Sequence, residues 1–455
     1  MSLLERLEKQ KSATAVPDPE HSGSSISGAG GTEIFHDEYA ELKEIIHKEI
    51  IEQINLEASG GIPSEENQEE YLLKTLEMLI DEKPVSISRA DRSRLIRELY
   101  HIVAGLGPLE PLLDDPEITE IMVNGPWQVY IERRGKIELS TAKFKDHAHV
   151  MHVINRIVSS VGRHIDEASP MVDARLDDGS RFNAIIPPLA LNGPTITIRK
   201  FSKKPFTVND LIRFTSVSPK MMSFLEACVK GRMNIIVSGG TGSGKTTLLN
   251  VLSGFIPNTE RIVTIEDAAE LQLRQDHVVT LESRPPNLEG AGQVTIRDLV
   301  RNSLRMRPDR IIVGEVRSEE TLDMLQAMNT GHEGSLTTAH ANSPRELMSR
   351  LETMVLMAGM ELPVKAIREQ ISSAIDIVVH QSRLKDGSRK VVNITEIVGM
   401  EGDTITLQDI FYFKPEGLDA SGKLTGNFYS TGIRPSFLEK IASCGVLVKD
   451  DWFMN

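Results

Sequence analysis

A glycine-rich run that ends in lysine and threonine is the sharpest chemical motif in this sequence. It reads GGTGSGKTT over residues 239–247 and fits the pattern G-x-x-x-x-G-K-[ST]. In this pattern the backbone wraps closely around phosphate oxygens, the lysine contacts the β- and γ-phosphates, and the next hydroxyl binds Mg²⁺. A glycine-rich turn without function is a reasonable interpretation of a bare GxGxxG, but it fits this longer pattern poorly. The predicted nucleotide site consists of Gly239, Gly240, Thr241, Gly242, Ser243, Gly244, Lys245, Thr246 and Thr247.

A second candidate is the glutamate that ends the β-branched run RIIVGEVR, residues 310–317. Glu315 lies 315 − 245 = 70 positions after Lys245, which suits a strand that delivers a carboxylate beside Mg²⁺. The usual residues there are Asp followed by Glu, whereas here Gly314 precedes a single glutamate. A plain core strand with an exposed glutamate is the competing interpretation, and the phosphate loop makes it the weaker one.

A third candidate lies where the run IVTIEDAAE, residues 262–270, ends in three carboxylates. Ligands of open α/β sheets bind at the carboxyl ends of the strands. Glu266 is therefore a candidate to orient or deprotonate an attacking water. Together with Thr246 and Glu315 it completes the predicted metal-binding set.

Two histidines eight positions apart flank another apolar run, GHEGSLTTAH, residues 331–340. Metal binding by His332 and His340 is a poor hypothesis, because no third ligand lies nearby in the sequence. Sensing of the γ-phosphate or of a neighbouring subunit suits them better. For an isolated histidine, a purely structural role would be the default interpretation.

The elements that must position these residues follow from the hydrophobic pattern. After residue 220, apolar β-type runs alternate with helical stretches, which predicts a parallel sheet in an α/β domain. The predicted strands are 234–238, 261–266, 278–281, 310–314 and 335–338, with a helix over 246–254. Shorter strand-like runs, turns and one helix over 106–204 predict a mixed α+β domain, and amphipathic helices precede it.

Composition narrows the class of protein. The chain has 455 residues and a net charge of −14. Of this, −10 falls on residues 33–89 (5 basic, 15 acidic) and −1 on residues 1–32, which leaves −3 for the remainder. Bulk nucleic-acid binding is therefore not expected. Cys228 and Cys444 are too few for a disulfide framework, and we expect no structural metal. No apolar run is long enough to span a membrane, so we expect a cytoplasmic location.

The four motifs resemble, in order, those of the type II/type IV secretion-superfamily ATPases, which power pilus assembly and secretion. GGTGSGKTT resembles their Walker A box, VTIEDAAEL the Asp box, RIIVGEVR the Glu-only Walker B box, and TGHEGSLTTAHANSP the His box. Upstream, GLGPLEPLLDDPEITEIMVNGP, VGRHIDEASPMVDARLDDGSRFNAIIPP and TITIRKF resemble the CpaF-type ATPase of tight-adherence (Flp-type) pili. The resemblance covers about residues 90–400.

This resemblance implies a RecA-like P-loop domain preceded by a PAS-like α+β domain and an N-terminal helical domain. We expect a flexible segment (1–34), an acidic helical domain (35–105), the PAS-like domain (106–204), a linker (205–220) and the ATPase domain with a C-terminal extension (221–455). It also implies a homo-hexamer with ATP held between subunits, and arginines that the PAS-like domain supplies to the phosphates.

Three arginines occupy the matching stretches: Arg175, Arg181 and Arg199. The physical case for them is neutralisation of the transferring phosphoryl group. For any one of them, a surface pairing with Asp177 or Asp178 is an equal alternative. Arg297, Arg301 and Arg305 recur every fourth residue, which suits either contacts across the ring or an ordinary solvated helix face.

The predicted function is hydrolysis of Mg-ATP to power assembly, with or without retraction, of a tight-adherence pilus. The expected partners are an inner-membrane platform protein, which would keep the motor peripheral to that membrane, and other pilus-assembly or secretion components.

The alternative is a conjugation-type secretion ATPase that moves protein or nucleoprotein, since it shares all four boxes. A RecA-like nucleic-acid translocase would need a basic, aromatic-lined channel, and aromatics are only 5% of the chain. An ABC cassette is excluded because no LSGGQ-like stretch follows the loop, and a scaffold without turnover fits poorly with intact Lys245, Thr246, Glu266 and Glu315.

Overall fold

The computed structural model describes two compact units, residues 1–105 and 106–455. The described residues are 39, 42, 43, 45, 46, 49, 50, 68–83, 85, 87–103, 105–133, 135–201, 205–286, 291–419, 422 and 424–454. The predicted flexible segment 1–34 and most of the first predicted helix, 35–58, lie outside them.

The first unit contains two described amphipathic helices, α1 (Gln68–Asp81) and α2 (Arg89–Val103). Their apolar faces pack together because leucines recur at three- and four-residue steps, and Leu76 and Leu99 are completely buried. Ile46 and Ile50 lie in the same apolar cluster. These two helices agree with the prediction of amphipathic helices before residue 106.

The second unit begins with a short turn of 3-10 helix, Gly107–Leu109, and α3 (Glu110–Asp114). A six-stranded antiparallel sheet follows, in the order β3-β2-β1-β6-β5-β4. Its strands are β1 (Ile118–Asn124), β2 (Val129–Arg133), β3 (Lys136–Leu139), β4 (Met171–Arg175), β5 (Arg181–Ile185) and β6 (Thr195–Arg199). Apolar and polar residues alternate in β5 and β6, so one face packs with α4 (His147–Ser160) and the other is open.

A nine-stranded sheet forms the rest of this unit, in the order β15-β14-β13-β12-β7-β11-β10-β8-β9. The strands from β12 to β9 in this order run parallel to their neighbours, and β12 to β15 form antiparallel hairpins. The strands are β7 (Ile235–Gly239), β8 (Ile262–Glu266), β9 (Val278–Glu282), β10 (Arg310–Val316), β11 (Leu336–His340), β12 (Ile377–Arg383), β13 (Arg389–Glu401), β14 (Thr404–Leu418) and β15 (Leu424–Ser430).

Helices cover both faces of the parallel part of this sheet, so its strands are apolar on both sides. In β7, Ile235 and Val237 face one apolar cluster and Ile236 faces the other. The helices are α5 (Val208–Arg213), α6 (Pro219–Lys230), α7 (Lys245–Ser253), α8 (Ile296–Ser303), α9 (Glu320–Asn329), α10 (Pro344–Met357), α11 (Val364–Ala374) and α12 (Leu438–Ser443). A last 3-10 turn, Asp450–Phe453, packs its aromatic rings on Phe224 of α6.

The predicted α/β class is confirmed, and the predicted strands around the sheet lie within one or two residues of those observed. The RecA-like and PAS-like assignments and the boundaries at 204 and 220 stay predictions. Within the described part of the chain, no helix combines the length and the apolar character that a membrane span needs.

Candidate nucleotide-binding site

The glycine-rich loop joins the buried strand β7 to α7, and its glycines are required by its shape. A side chain on Gly239 would collide with the carbonyl oxygen of Gln381, and Gly244 has a φ of +96°. Gly244 is the N-cap of α7, and no side chain caps that helix end. The first backbone N–H groups of α7 are therefore available to an anion, as the motif predicts.

Lys245 is a largely buried cation at the start of α7. Its Nζ lies 3.2 Å from the carbonyl oxygen of Gly240, 3.3 Å from Nε2 of His340 and 3.9 Å from Oε1 of Glu315. Burial lowers the pKa of Lys245, and the neighbouring Glu315 carboxylate opposes that shift. An anion bound in the loop would stabilise the charged ammonium further.

Glu315 lies at the carboxyl end of β10 and is held from two sides. His340 Nε2 approaches its Oε1 at 2.9 Å, and Arg317 donates a 2.7 Å hydrogen bond from Nε to its Oε2. Arg317 also reaches Asp267 at 3.3 Å and so joins the ends of β10 and β8. Burial lowers the pKa of His340, which favours a neutral imidazole beside Glu315. The structure therefore brings Lys245, Glu315 and His340 together.

Glu266 ends β8 and is buried, with its carboxylate turned into the next loop. Its Oε1 accepts hydrogen bonds from the backbone N–H groups of Glu270 (3.0 Å) and Leu271 (3.2 Å). Burial nevertheless raises the pKa of Glu266 to about 7, because desolvation outweighs those two bonds. Its neighbour on β10 is Gly314, where an added Cβ would lie 2.8 Å from the Glu266 Cγ.

The three predicted arginines form a row across the open face of the six-stranded sheet. Arg175 pairs with Arg181 across β4 and β5, and Arg181 pairs with Arg199 across β5 and β6. Like charges in such positions repel, so each guanidinium needs a compensating partner. The short-range pairing with Asp177 or Asp178 is not what the structure shows.

The partners of this arginine row lie elsewhere in the same unit. Arg175 contacts Glu282 at 3.2 Å and the carbonyl oxygen of Ala269, while Arg181 contacts Glu270 at 3.5 Å. Arg199 forms its ion pair with Glu120 on the adjacent strand β1. Two of the three arginines therefore hold the loop that follows Glu266.

A cleft of about 170 Å³ connects the arginine row to the phosphate loop. Arg181 and Arg199 line it on one side, and Thr246 and Thr247 of α7 line it on the other. A cavity of about 420 Å³ shares lining residues Phe206 and Asn250 with this cleft. The cleft therefore gives the phosphate loop an adjoining space between the two sheets, on the side where Arg181 and Arg199 lie.

His332 does not join the site, in contrast to the prediction that it senses the γ-phosphate. His332 precedes β11, at the edge where β7 and β11 begin and where the N–H of Ile235 donates to the carbonyl oxygen of Ser335. The phosphate loop follows the end of β7, at the opposite edge of the sheet. The five-residue strand β11 separates the two histidines by roughly 16 Å. Contact of His332 with a neighbouring subunit stays a prediction.

The arginines spaced four apart do not form one helix face. Arg297 and Arg301 both bind Asp323 on α9, at 2.8 and 2.7 Å, and Arg297 also binds Glu319. These two therefore tie α8 to α9. Helix α8 ends at Ser303, so Arg305 lies beyond it and is exposed.

The residues present fit a magnesium nucleotide. Ser243 carries a buried hydroxyl oxygen with no hydrogen-bond partner, and Thr246 offers a hydroxyl in the cleft. Among the described residues, no group of three or more His, Cys, Asp or Glu could hold a metal ion alone. That donor set suits Mg²⁺, which keeps several waters and shares the phosphate oxygens of its nucleotide.

Sequence reasoning missed several cations and one amide around the loop. Arg317 contacts Glu315, while Arg383, Arg389 and Gln381 lie on the hairpin beside the loop. Arg317 is two positions after Glu315, so on an extended strand both can point to the same side. The hairpin arginines flank an Asp-Gly pair, which predicts a hairpin turn. That signal does not predict that the hairpin lies beside the phosphate loop.

Comparison with known proteins finds a matching family and several relatives. Residues 103–419 match the family described as type II/IV secretion system protein. A Mycobacterium tuberculosis protein named for conjugal transfer is 37% identical over 313 residues, which are 68% of this chain and 88% of that protein. The type IV secretion system protein VirB11 of Brucella abortus is 34% identical over 316 residues, covering 63% of this chain and 87% of VirB11.

A solved structure was also similar. The VirB11 ATPase from the Brucella suis type IV secretion system, in complex with sulphate, is 32% identical. The match covers 63% of this chain and 94% of that one, with a TM-score of 0.35.

Proposed function

The chain belongs to the type II/IV secretion system protein family, and on that basis we propose that it is an ATP hydrolase that drives an envelope machine. The observation that carries this proposal is the meeting of three groups at one sheet edge. Lys245 at the start of α7 lies 3.9 Å from Glu315, and His340 lies 2.9 Å from the same carboxylate. A phosphate-loop lysine beside a carboxylate that can order Mg²⁺ is the arrangement that P-loop enzymes use for phosphoryl transfer from ATP.

In the proposed mechanism, the loop amides and Lys245 bind the β- and γ-phosphates of ATP and neutralise their charge. Thr246 and Glu315 would hold Mg²⁺, which would neutralise charge on the phosphate oxygens. His340 and Arg317 fix the orientation of Glu315 through the contacts at 2.9 and 2.7 Å. The cleft and cavity beside α7 would provide the space for the nucleoside.

Two glutamates divide the remaining work in this proposal. Glu266, with a pKa of about 7, is suited to accept the proton of the attacking water at neutral pH. Glu315 is already engaged by Arg317 and Lys245, so we assign it to the metal and its water shell. Glu266 would also contribute to that water shell.

The arginine row supports a role for the six-stranded sheet in the same reaction. Arg181 and Arg199 line the cleft with Thr246, and the ion pairs of Arg175 and Arg181 hold the loop after Glu266. We propose that these arginines contact the phosphates as the two sheets move relative to one another. In a homo-hexamer with ATP between subunits, His332 would face the neighbouring copy.

Two processes are candidates for the work that ATP hydrolysis drives. The upstream stretches that resemble CpaF-type ATPases favour assembly, with or without retraction, of a tight-adherence pilus through an inner-membrane platform protein. The named relatives favour the second candidate, transport of protein or nucleoprotein by a type IV secretion or conjugal apparatus. In both cases the chain would act in the cytoplasm, peripheral to the inner membrane, without binding nucleic acid directly.

Phosphate release by the purified full chain tests the enzymatic part. We expect turnover of Mg-ATP, loss of turnover in EDTA, and no stimulation by single-stranded DNA. Absence of turnover by the assembled ring would contradict the proposal, and strong DNA stimulation would revive the translocase.

A deletion of the gene in its host separates the two kinds of work. Loss of surface pili with intact conjugation and secretion supports the pilus motor. The reverse result supports the secretion ATPase.

A further inference from the structure

One hairpin runs past the end of the strand that leads into the phosphate loop. β12 pairs with β7 from Ile377, opposite Ile235, to His380, opposite Ser238. β7 ends one residue later, but β12 continues to Arg383 and returns as β13. The overhanging hairpin, residues 381–391, therefore lies beside the phosphate loop.

Its side chains follow the loop closely. Arg389 donates a 2.8 Å hydrogen bond from Nε to the carbonyl oxygen of Gly242. A Cβ on Gly244 would lie 3.2 Å from Cδ of Arg389 and 3.3 Å from Nε2 of Gln381. Because Arg389 holds a carbonyl of the loop, it fixes the peptide plane whose rotation would turn an amide away from a bound phosphate.

The charge of this hairpin is unbalanced. Arg383 and Arg389 are direct cross-strand partners, and among the described residues neither guanidinium lies within ion-pair distance of a carboxylate. Burial, and then the adjacent Arg383, lower the pKa of Arg389, with Glu132 opposing the shift from further away. Two like charges in such positions repel, and an anion in the adjacent loop would relieve that repulsion.

The same hairpin contacts the six-stranded sheet. Arg383 donates a 2.6 Å hydrogen bond from Nη2 to the carbonyl oxygen of Gly135, in the turn between β2 and β3. Its Nη1 lies 3.4 Å from where a Cβ on Gly242 would be. One side chain thus lies against both the phosphate loop and the other sheet.

We propose that Arg389 and Arg383 are positioning residues of the nucleotide site. Arg389 holds the phosphate loop in its anion-binding form, and Arg383 transmits the state of the loop to the β2–β3 turn. This inference rests on the proposed function, because it requires that the loop binds ATP.

The first experiment measures steady-state ATP hydrolysis and the affinity for a fluorescent ATP analogue in the full chain. Arg389→Ala should raise both KM and the dissociation constant about tenfold, as expected for loss of one charge-assisted hydrogen bond, with kcat within about threefold. Arg389→Lys keeps a donor and should recover most of the affinity. Arg434→Ala, which removes an exposed ion pair with Asp450 in the C-terminal region, is the matched control and should behave as wild type.

The second experiment measures backbone hydrogen exchange with and without the ATP analogue. In wild type, the nucleotide should slow exchange in residues 239–247 and also in residues 129–139. Arg383→Ala should keep the first protection and lose the second, whereas Arg434→Ala should keep both. Protection of 129–139 that survives in Arg383→Ala would overturn the transmission step.

The outcomes separate this inference from the function on which it rests. If wild type binds no ATP analogue, both fail. If wild type binds it and Arg389→Ala binds equally well, the positioning role alone is wrong. If Arg389→Lys and Arg389→Ala lose equal affinity, a donor to Gly242 is not what matters, and the inference is again overturned.

Discussion

The parallel strands of the nine-stranded sheet have their amino ends along one edge (the amino edge) and their carboxyl ends along the other (the carboxyl edge). Both edges carry buried charged residues, but these residues differ in whether the fold provides their partners. At the amino edge, Arg310 is completely buried and donates to both oxygens of Glu260 and to the carbonyls of Gly334 and Val229. Asn234 beside it is equally occupied, with bonds to four backbone groups. At the carboxyl edge, Lys245, Arg317 and His340 crowd around the single carboxylate of Glu315.

The difference lies in whether the fold itself satisfies its polar groups. At the amino edge the fold satisfies Arg310 and Asn234, and His332 Nδ1 and Arg261 Nε are the described buried atoms there that lack a hydrogen-bond partner. The carboxyl edge leaves Ser243 Oγ, Gln381 Oε1 and Glu315 Oε1 buried without hydrogen-bond partners, beside cations in excess. Satisfied networks stabilise a fold, and unsatisfied ones next to a cleft indicate a ligand. Substitutions at the two edges should therefore fail in different assays.

The largest effect should come from Lys245 at the carboxyl edge. Lys245→Ala should lower ATP hydrolysis by at least about 10³-fold, or about 4 kcal/mol, because the phosphates lose their buried cation. The melting temperature without nucleotide should stay near that of wild type. Phosphate release and thermal unfolding on the same preparation check both statements, and retained turnover would refute the loop assignment.

The counterpart at the amino edge is Arg310. Arg310→Ala should lower the free energy of unfolding by about 3 kcal/mol, because it leaves Glu260 with only Arg232 at 3.2 Å. In the molecules that remain folded, KM for ATP should be unchanged. Denaturant titration gives the first quantity and steady-state kinetics the second. A large rise in KM with little loss of stability would reverse the roles of the two edges.

A third effect concerns pH and Glu266. With a pKa of about 7, the carboxylate that accepts a proton forms only as pH rises through 7. The rate should therefore fall about tenfold per pH unit below 7 and level off above it. Glu266→Gln should be slow and should lose this dependence, while Glu333→Gln at the amino edge should keep it.

The same raised pKa has a consequence for stability. The folded-state pKa lies above the ordinary value of 4.5, so between these two values the folded state binds more protons than the unfolded one. The contribution of Glu266 is fully present below pH 4.5 and is lost as pH rises through 7. Denaturant titrations from pH 5 to 8 should show wild type losing more stability than Glu266→Gln.

The smallest effect comes from the two histidines. His340→Ala should lower kcat about tenfold because Glu315 loses its contact with His340 at 2.9 Å, whereas His332→Ala should stay within about twofold. Both variants are measured in the assembled form of the chain. An equal loss for His332→Ala would show that the amino edge takes part in catalysis, through a neighbouring subunit.

Local patterns predicted much of this arrangement. Alternating apolar runs located the strands, and the phosphate loop depends on glycines whose spacing is visible in the sequence. The arginine row was predicted only as three separate residues, because their shared register depends on how β4, β5 and β6 pair. The pattern also groups His332 with His340, although the predicted strand 335–338 already sets them at opposite ends of β11.

Other features depend on contacts between distant segments. Arg383 and Arg389 meet the phosphate loop about 140 positions earlier in the chain, and no local pattern carries that information. The pKa of Glu266 depends on burial by segments far from it in sequence. Such properties follow from packing, which is why sequence reasoning named Glu266 without explaining how it could act at neutral pH.

Gly314 gives the acidic half of the site its particular form. Any side chain at this position would push against the Glu266 Cγ, so the Asp that usually precedes the glutamate cannot fit here unless Glu266 moves. The second carboxylate comes instead from the adjacent strand, β8. A pair of acids that is usually consecutive in sequence is thus split between two strands, and the two can be altered one at a time. Replacing Gly314 with Asp would place three carboxylates where the backbone leaves room for two.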